Sequence, residues 1–90
     1  MVNSLNILRD KINYFDNSII GIMVRRMKVV KKVGEFKKKH DLPLCDRKRQ
    51  AEVLRMRVKQ GKKKGLNEKF IKNFYGLIFN EALNIQGRKK

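Results

Sequence analysis

Four polar side chains stand where helical periodicity in this sequence asks for apolar ones. Arg26 lies between Ile22 and Val29, Lys37 one turn beyond Val33, Arg49 one turn before Val53, and Gln86 one turn beyond Ala82. Charge on an inward face is tolerated only when a partner neutralises it. No matching cluster of acids is present, because the 90 residues hold 24 Lys and Arg against 8 Asp and Glu. The missing partner is then an anionic ligand, best a small dicarboxylate. Nucleophilic chemistry lacks its parts: Cys45 is the only Cys and His40 the only His, so no triad can be assembled around them. Cys45 has no second cysteine to pair with and reads as a loop or packing residue.

The elements that must position these groups read as helices. From Asn3 to His40 no proline interrupts the chain, and Leu5, Leu8, Ile12, Phe15, Ile19, Ile22, Arg26, Val29 and Val33 follow a 3-4 spacing, the stripe a helix turns toward a partner. Such a helix is roughly 57 Å long at about 1.5 Å per residue. A compact domain of this length has a radius of gyration of only about 12 Å. The remaining fifty or so residues cannot cover the stripe, so a second copy of the chain is expected to. Asn3 or Ser4 is the candidate N-cap, with Asp10 near the positive end of the helix. Gly21 and Gly34 interrupt the run at a cost of up to about 1 kcal/mol each relative to Ala. Close approach of another backbone is the commonest reason for such a glycine.

The long helix should end before Leu42-Pro43, since the residue preceding proline is pushed out of the helical region. Asp46 then caps a second helix, Arg47 to Gln60, with Val53, Leu54 and Met56 inward. The segment from Gly61 to Gly65 reads as a turn. Asn67 caps a third helix whose stripe is Ile71, Phe74, Tyr75, Ile78, Ala82 and Leu83, and Gly87 ends it. Strand-like alternation, internal repeats and low-complexity segments are absent. The fold class is all-α: a single domain over residues 1–90, with one long helix, two shorter ones and a partner.

The formal net charge of +16 gives the molecule a field that attracts anions of some kind. Most of that charge lies in runs such as Lys37-Lys38-Lys39, Arg47-Lys48-Arg49, Lys62-Lys63-Lys64 and Arg88-Lys89-Lys90, which read as solvated faces. A basic helical nucleic-acid-binding protein is the rival reading, with the charge as its whole support. Against it, no aromatic residues are interleaved with the basic runs for base stacking, and Arg26 is turned inward. Neither end reads as a charged-then-apolar leader, and no apolar run of 18 residues appears. No membrane association is expected, and a reducing, cytoplasmic setting is.

Taken in order, Leu8-Arg9 with Ile12 and Asp16, Arg26, Val33-Gly34 followed by Lys37, Leu42-Pro43 followed by Asp46 and Arg49, Gly65-Leu66, and Gln86 resemble the all-helical chorismate mutases, the AroQ class. The likeness covers nearly the whole chain. It implies an intertwined homodimeric bundle of three-helix chains that rearranges chorismate to prephenate, a pericyclic step of aromatic amino-acid biosynthesis, without cofactor or metal.

Position by position, the resemblance implies that Arg26 and an Arg9 from the other chain hold the substrate carboxylates. Lys37 and Gln86 donate to the ether oxygen, Arg49 supports the pyruvyl carboxylate side, and the Asp46 region meets the ring hydroxyl. Two positions depart from the family. Gln50 stands where Glu is usual, keeping a carbonyl acceptor and losing a negative charge, and Ala82 stands where a Ser often donates to a carboxylate. The related pyruvate lyase acting on isochorismate shares this fold and pocket and remains an alternative at the level of sequence. Sharing of the site between chains also follows from geometry: Arg9 and Arg26 lie 17 residues apart on one helix, hence roughly 25 Å. One small dicarboxylate cannot touch both.

Overall fold

A computed structural model describes residues 4–87, which form three helices and no strands: α1 (Ser4–Lys39), α2 (Arg47–Lys63) and α3 (Glu68–Ile85). Asn3 and the run Arg88-Lys89-Lys90 lie outside the described residues. The 36 residues of α1 account for most of the 60 Å long axis, and the other two axes are 24 and 20 Å. The radius of gyration is 16.8 Å, well above the roughly 12 Å of a compact domain this size. Half of α1 therefore projects beyond the rest of its own chain.

Local chemistry sets the helix ends. Asp41 adopts a left-handed conformation (φ 55°). The Leu42 N–H donates to the Lys37 carbonyl at 2.8 Å and the Asp41 N–H to that of Lys38 at 3.3 Å. This is the paired reverse bonding that satisfies a helix's last carbonyls. The same pattern closes α2: Gly65 (φ 94°) takes the left-handed position while Leu66 donates to Gly61 at 2.9 Å and Gly65 to Lys62 at 3.1 Å. Helix α2 thus continues one turn past Gln60, and the expected turn from Gly61 shrinks to Lys64-Gly65. Gly61 stays helical because its missing side chain lets Ile71 of α3 pack there; a Cβ would lie 2.5 Å from the Ile71 Cδ1. Asp46 and Asn67 cap α2 and α3 as expected, each accepting an N–H from three residues on, Arg49 and Phe70, at 3.0 Å.

Helix α3 is the element against which both others pack. Among the described residues its Ile71, Ile78, Ala82 and Leu83 are the buried apolar side chains, and Gln86, its C-cap, is the buried polar one. Phe74 and Met56, expected inward, lie at the surface. Between α2 and α3, Glu68 bonds Lys62 at 3.0 Å and Lys72 at 2.9 Å. These contacts, Lys72 first, hold its carboxyl below the usual carboxylate range.

The face that α1 gives to its own chain differs from the predicted stripe. Its residues that are not fully exposed are Met23, Arg26, Met27, Val30, Gly34 and Lys37, whereas Val29 and Val33 stay in solvent. Leu5, Leu8, Ile12, Phe15, Ile19 and Ile22 are all more than half exposed. Arg26 and Lys37 belong to both readings because a helix turns about 100° per residue, so two neighbouring stripes share an edge.

Candidate active site

The inner face of α1 meets α3 most closely at Gly34. A Cβ built there would stand 2.9 Å from the Gln86 Cα and from its Cγ, so the two helices approach backbone to backbone at this point. That contact brings Lys37, one turn further along α1, beside Gln86 at the end of α3. The Lys37 Nζ donates to the Gln86 Oε1 at 3.1 Å and to the Leu44 carbonyl at 2.9 Å. One ammonium thus ties together the long helix, the linker and the end of α3. With Oε1 turned to Lys37, the Gln86 amide nitrogen, a donor only, is left for something else.

Around this junction is a cavity of about 250 Å³, lined by Arg26, Val30 and Lys37 of α1, Leu44 and Asp46 of the linker, Arg49, Gln50, Val53 and Arg57 of α2, and Phe79, Ala82, Leu83 and Gln86 of the last helix. Its lining suits a small molecule with an apolar part and anionic substituents: Val30, Val53, Phe79 and Leu83 form apolar wall, and four cationic side chains, Arg26, Lys37, Arg49 and Arg57, surround it. The only acid among these residues, Asp46, uses Oδ1 as the N-cap of α2. Arg49 reaches Glu52 at 3.8 Å in an exposed pair one turn along its own helix, a contact of little energy.

Arg26 is the group with the strongest demand for a ligand. Its Nη1 is shut off from solvent and has no hydrogen-bond partner among the described residues. A buried unmade bond of this kind costs about 1–3 kcal/mol, and more for a charged group. A carboxylate entering the cavity would satisfy it through two parallel bonds.

Of the residues singled out in the sequence, Arg26, Lys37, Asp46, Arg49, Gln50, Ala82 and Gln86 are brought to this one cavity. Arg9 is not: it is exposed on the projecting half of α1. The sequence reading missed Arg57, Val30, Leu44 and Phe79. Helical spacing could have found three of them, since Arg57 lies one turn beyond Val53, Val30 one turn beyond Arg26, and Phe79 one turn beyond Tyr75 and one before Leu83, on the same faces. Leu44 sits in the linker, where no period applies. No described helix is long and apolar enough to cross a membrane.

Comparison with known proteins shows the family. The chorismate mutase type II family model matches residues 8–87. A bifunctional chorismate mutase/prephenate dehydratase of Buchnera aphidicola subsp. Schizaphis graminum (strain Sg) is 32% identical over 84 residues, covering 93% of this chain and 22% of the relative. The T-protein of Enterobacter agglomerans is 28% identical over 89 residues, covering 99% of the chain and 24% of the relative. The chain therefore spans less than a quarter of the length of these curated relatives, and it belongs to the chorismate mutase type II family.

Proposed function

We propose that this chorismate mutase type II domain rearranges chorismate to prephenate in a cavity built from its three helices and completed by a second copy of the chain. The observation that carries this reading is the buried, unpartnered Arg26 Nη1 in the same cavity as the Lys37–Gln86 pair. In the rearrangement a C–O bond breaks while a C–C bond forms within one molecule, and negative charge builds on the ether oxygen. No acid, base or nucleophile is required. Arg26 and Arg49 hold carboxylates and so select the compact conformer, and Lys37 and the Gln86 amide nitrogen aim donors at the oxygen. Positioning and preorganised charge of this kind each supply several kcal/mol of barrier reduction.

Gln50 and Asp46 stand at the ring-hydroxyl side. Gln50 offers a carbonyl acceptor there, and Ala82 supplies no hydroxyl to the carboxylate side, so fewer bonds hold the substrate than a Glu and a Ser would provide. The homodimer is supported by the exposed apolar stripe of α1 and by the position of Arg9. An antiparallel partner helix crossing near Ile20 or Gly21 would cover that stripe and carry its own Arg9 to a point between Arg26 and Lys37. In sedimentation the species should have twice the 10.7 kDa chain mass; a monomer at micromolar concentration would rule the dimer out.

The test of activity is loss of chorismate absorbance with product identification. Prephenate is the expected product, and pyruvate release from isochorismate in its place would assign the lyase reaction instead.

A further inference from the structure

Arg57 lines the cavity beside Val53 and Gln50 but has no part in the reading above. It is half-buried, and it stands in the wall between the charged cavity and a larger one of about 650 Å³ that Ile19, Leu66, Phe70 and Phe74 help to line. Among the described residues its guanidinium bonds only the Gln60 Oε1, at 3.5 Å, the outer limit of hydrogen-bond reach. It is not among the described ion pairs, which involve Arg49, Lys62 and Lys72. Asp46 is committed to its capping bond and Gln50 carries no charge, so neither neutralises it. A guanidinium held this weakly, on a half-buried stem that lines the same cavity as Arg26, Lys37 and Arg49, is free to take an anionic partner.

We propose that Arg57 is a further carboxylate-binding residue of the site, donating to the substrate from the same chain as Arg26. The proposal rests on the mutase reading of the cavity. Swinging toward the ligand costs Arg57 only the long contact to Gln60. In exchange the guanidinium offers a carboxylate the planar fork that a Lys lacks. It also adds a positive charge to a cavity in which Gln50 has removed a negative one, which raises attraction for a dianion while increasing repulsion in the empty site.

The experiment is steady-state kinetics with chorismate on the wild-type protein, Arg57→Leu and Arg57→Lys, with thermal melting of each free protein. Leu keeps the apolar stem and removes the fork and the charge. Arg57→Leu should raise KM by on the order of tenfold to a hundredfold, the range for a lost hydrogen bond to a charged group, with a smaller effect on kcat. Its ligand-free melting temperature should be unchanged or higher, because a like charge has left the cavity. Arg57→Lys should recover part of the KM. A KM within about twofold of wild type in Arg57→Leu, or a lowered melting temperature with KM unchanged, would overturn the proposal. If Arg57→Leu does not fold, Arg57→Gln reads the same KM with a polar head retained. Failure of the wild-type protein to turn over chorismate would instead remove the mutase reading itself, so the two failures are told apart by the first measurement.

Discussion

At Gly34 the absence of one methyl group sets the distance between Lys37 and Gln86. An alanine Cβ would fall 2.9 Å from the backbone Cα of Gln86, and backbone cannot turn aside as a flexible side chain would. Gly34→Ala should therefore destabilise the fold by about 1–3 kcal/mol from overpacking, partly offset by a helix-propensity gain of up to about 1 kcal/mol. It should also lower kcat at least about tenfold, since the helices part where the donors converge. Thermal melting with kinetics checks both, and an unchanged kcat would mean that this contact does not set the donor geometry. Gln86 itself can be tested by pH. Because an amide does not titrate, wild-type activity should stay broadly flat from mildly acidic to mildly alkaline pH. A carboxyl donates only when protonated, with an ordinary pKa of about 4.3 that neighbouring cations lower. Gln86→Glu should accordingly be active only in acid, rising as pH falls. A flat profile in that variant would take Gln86 out of the site.

At the scale of elements, α1 performs two tasks with two halves. From Met23 to Lys37 it packs on α3 and contributes Arg26 and Lys37 to the cavity; from Ser4 to Ile22 every residue is exposed. Gly21 marks the border, and within one chain a Cβ there meets nothing within 4 Å. Gly21→Ala thus has a diagnostic sign. In an isolated chain it should stabilise α1 by up to about 1 kcal/mol, whereas at a close helix crossing the added methyl should weaken association. We expect weaker association, read as a rise in the dimer dissociation constant by sedimentation at several concentrations. Tighter or unchanged association would move the crossing away from Gly21.

For the whole molecule, four buried apolar side chains among the described residues are few, and most of the exposed apolar surface lies along α1. A second chain would cover that surface and complete the site by the same contact. Arg9→Ala and Arg26→Ala homodimers should each be nearly inactive, because each loses a charged contact in both sites. In a mixed dimer one site regains both arginines and the other loses both. Co-refolding the two variants should restore up to about a quarter of wild-type activity, if chains mix at random and half the dimers are mixed. Mixed dimers that form and stay inactive would refute the shared site.

Sequence alone determined the three helices, since caps at Asp46 and Asn67, the stop before Leu42-Pro43 and the 3-4 spacing of apolar residues are local signals that act within a turn or two. It also singled out Arg26, Lys37, Arg49 and Gln86, because a polar group in an apolar register is visible one turn either side. The extension of α2 through Lys63 was hidden: glycine ordinarily weakens a helix interior, and only the packing of Ile71 against Gly61 shows why this one is kept. Tertiary structure also decided which stripe of α1 faces α3, as Met23, Met27, Val30 and Gly34 form a second helical stripe beside the more apolar one. Two apolar stripes on one helix are a choice that periodicity cannot make, because it depends on which partner is in reach of each. The nearness of Lys37 to Gln86, 49 residues apart in the chain, and the placing of Arg57 and Arg26 around one cavity arose the same way, from the close approach at Gly34 and the packing of α2 on α3.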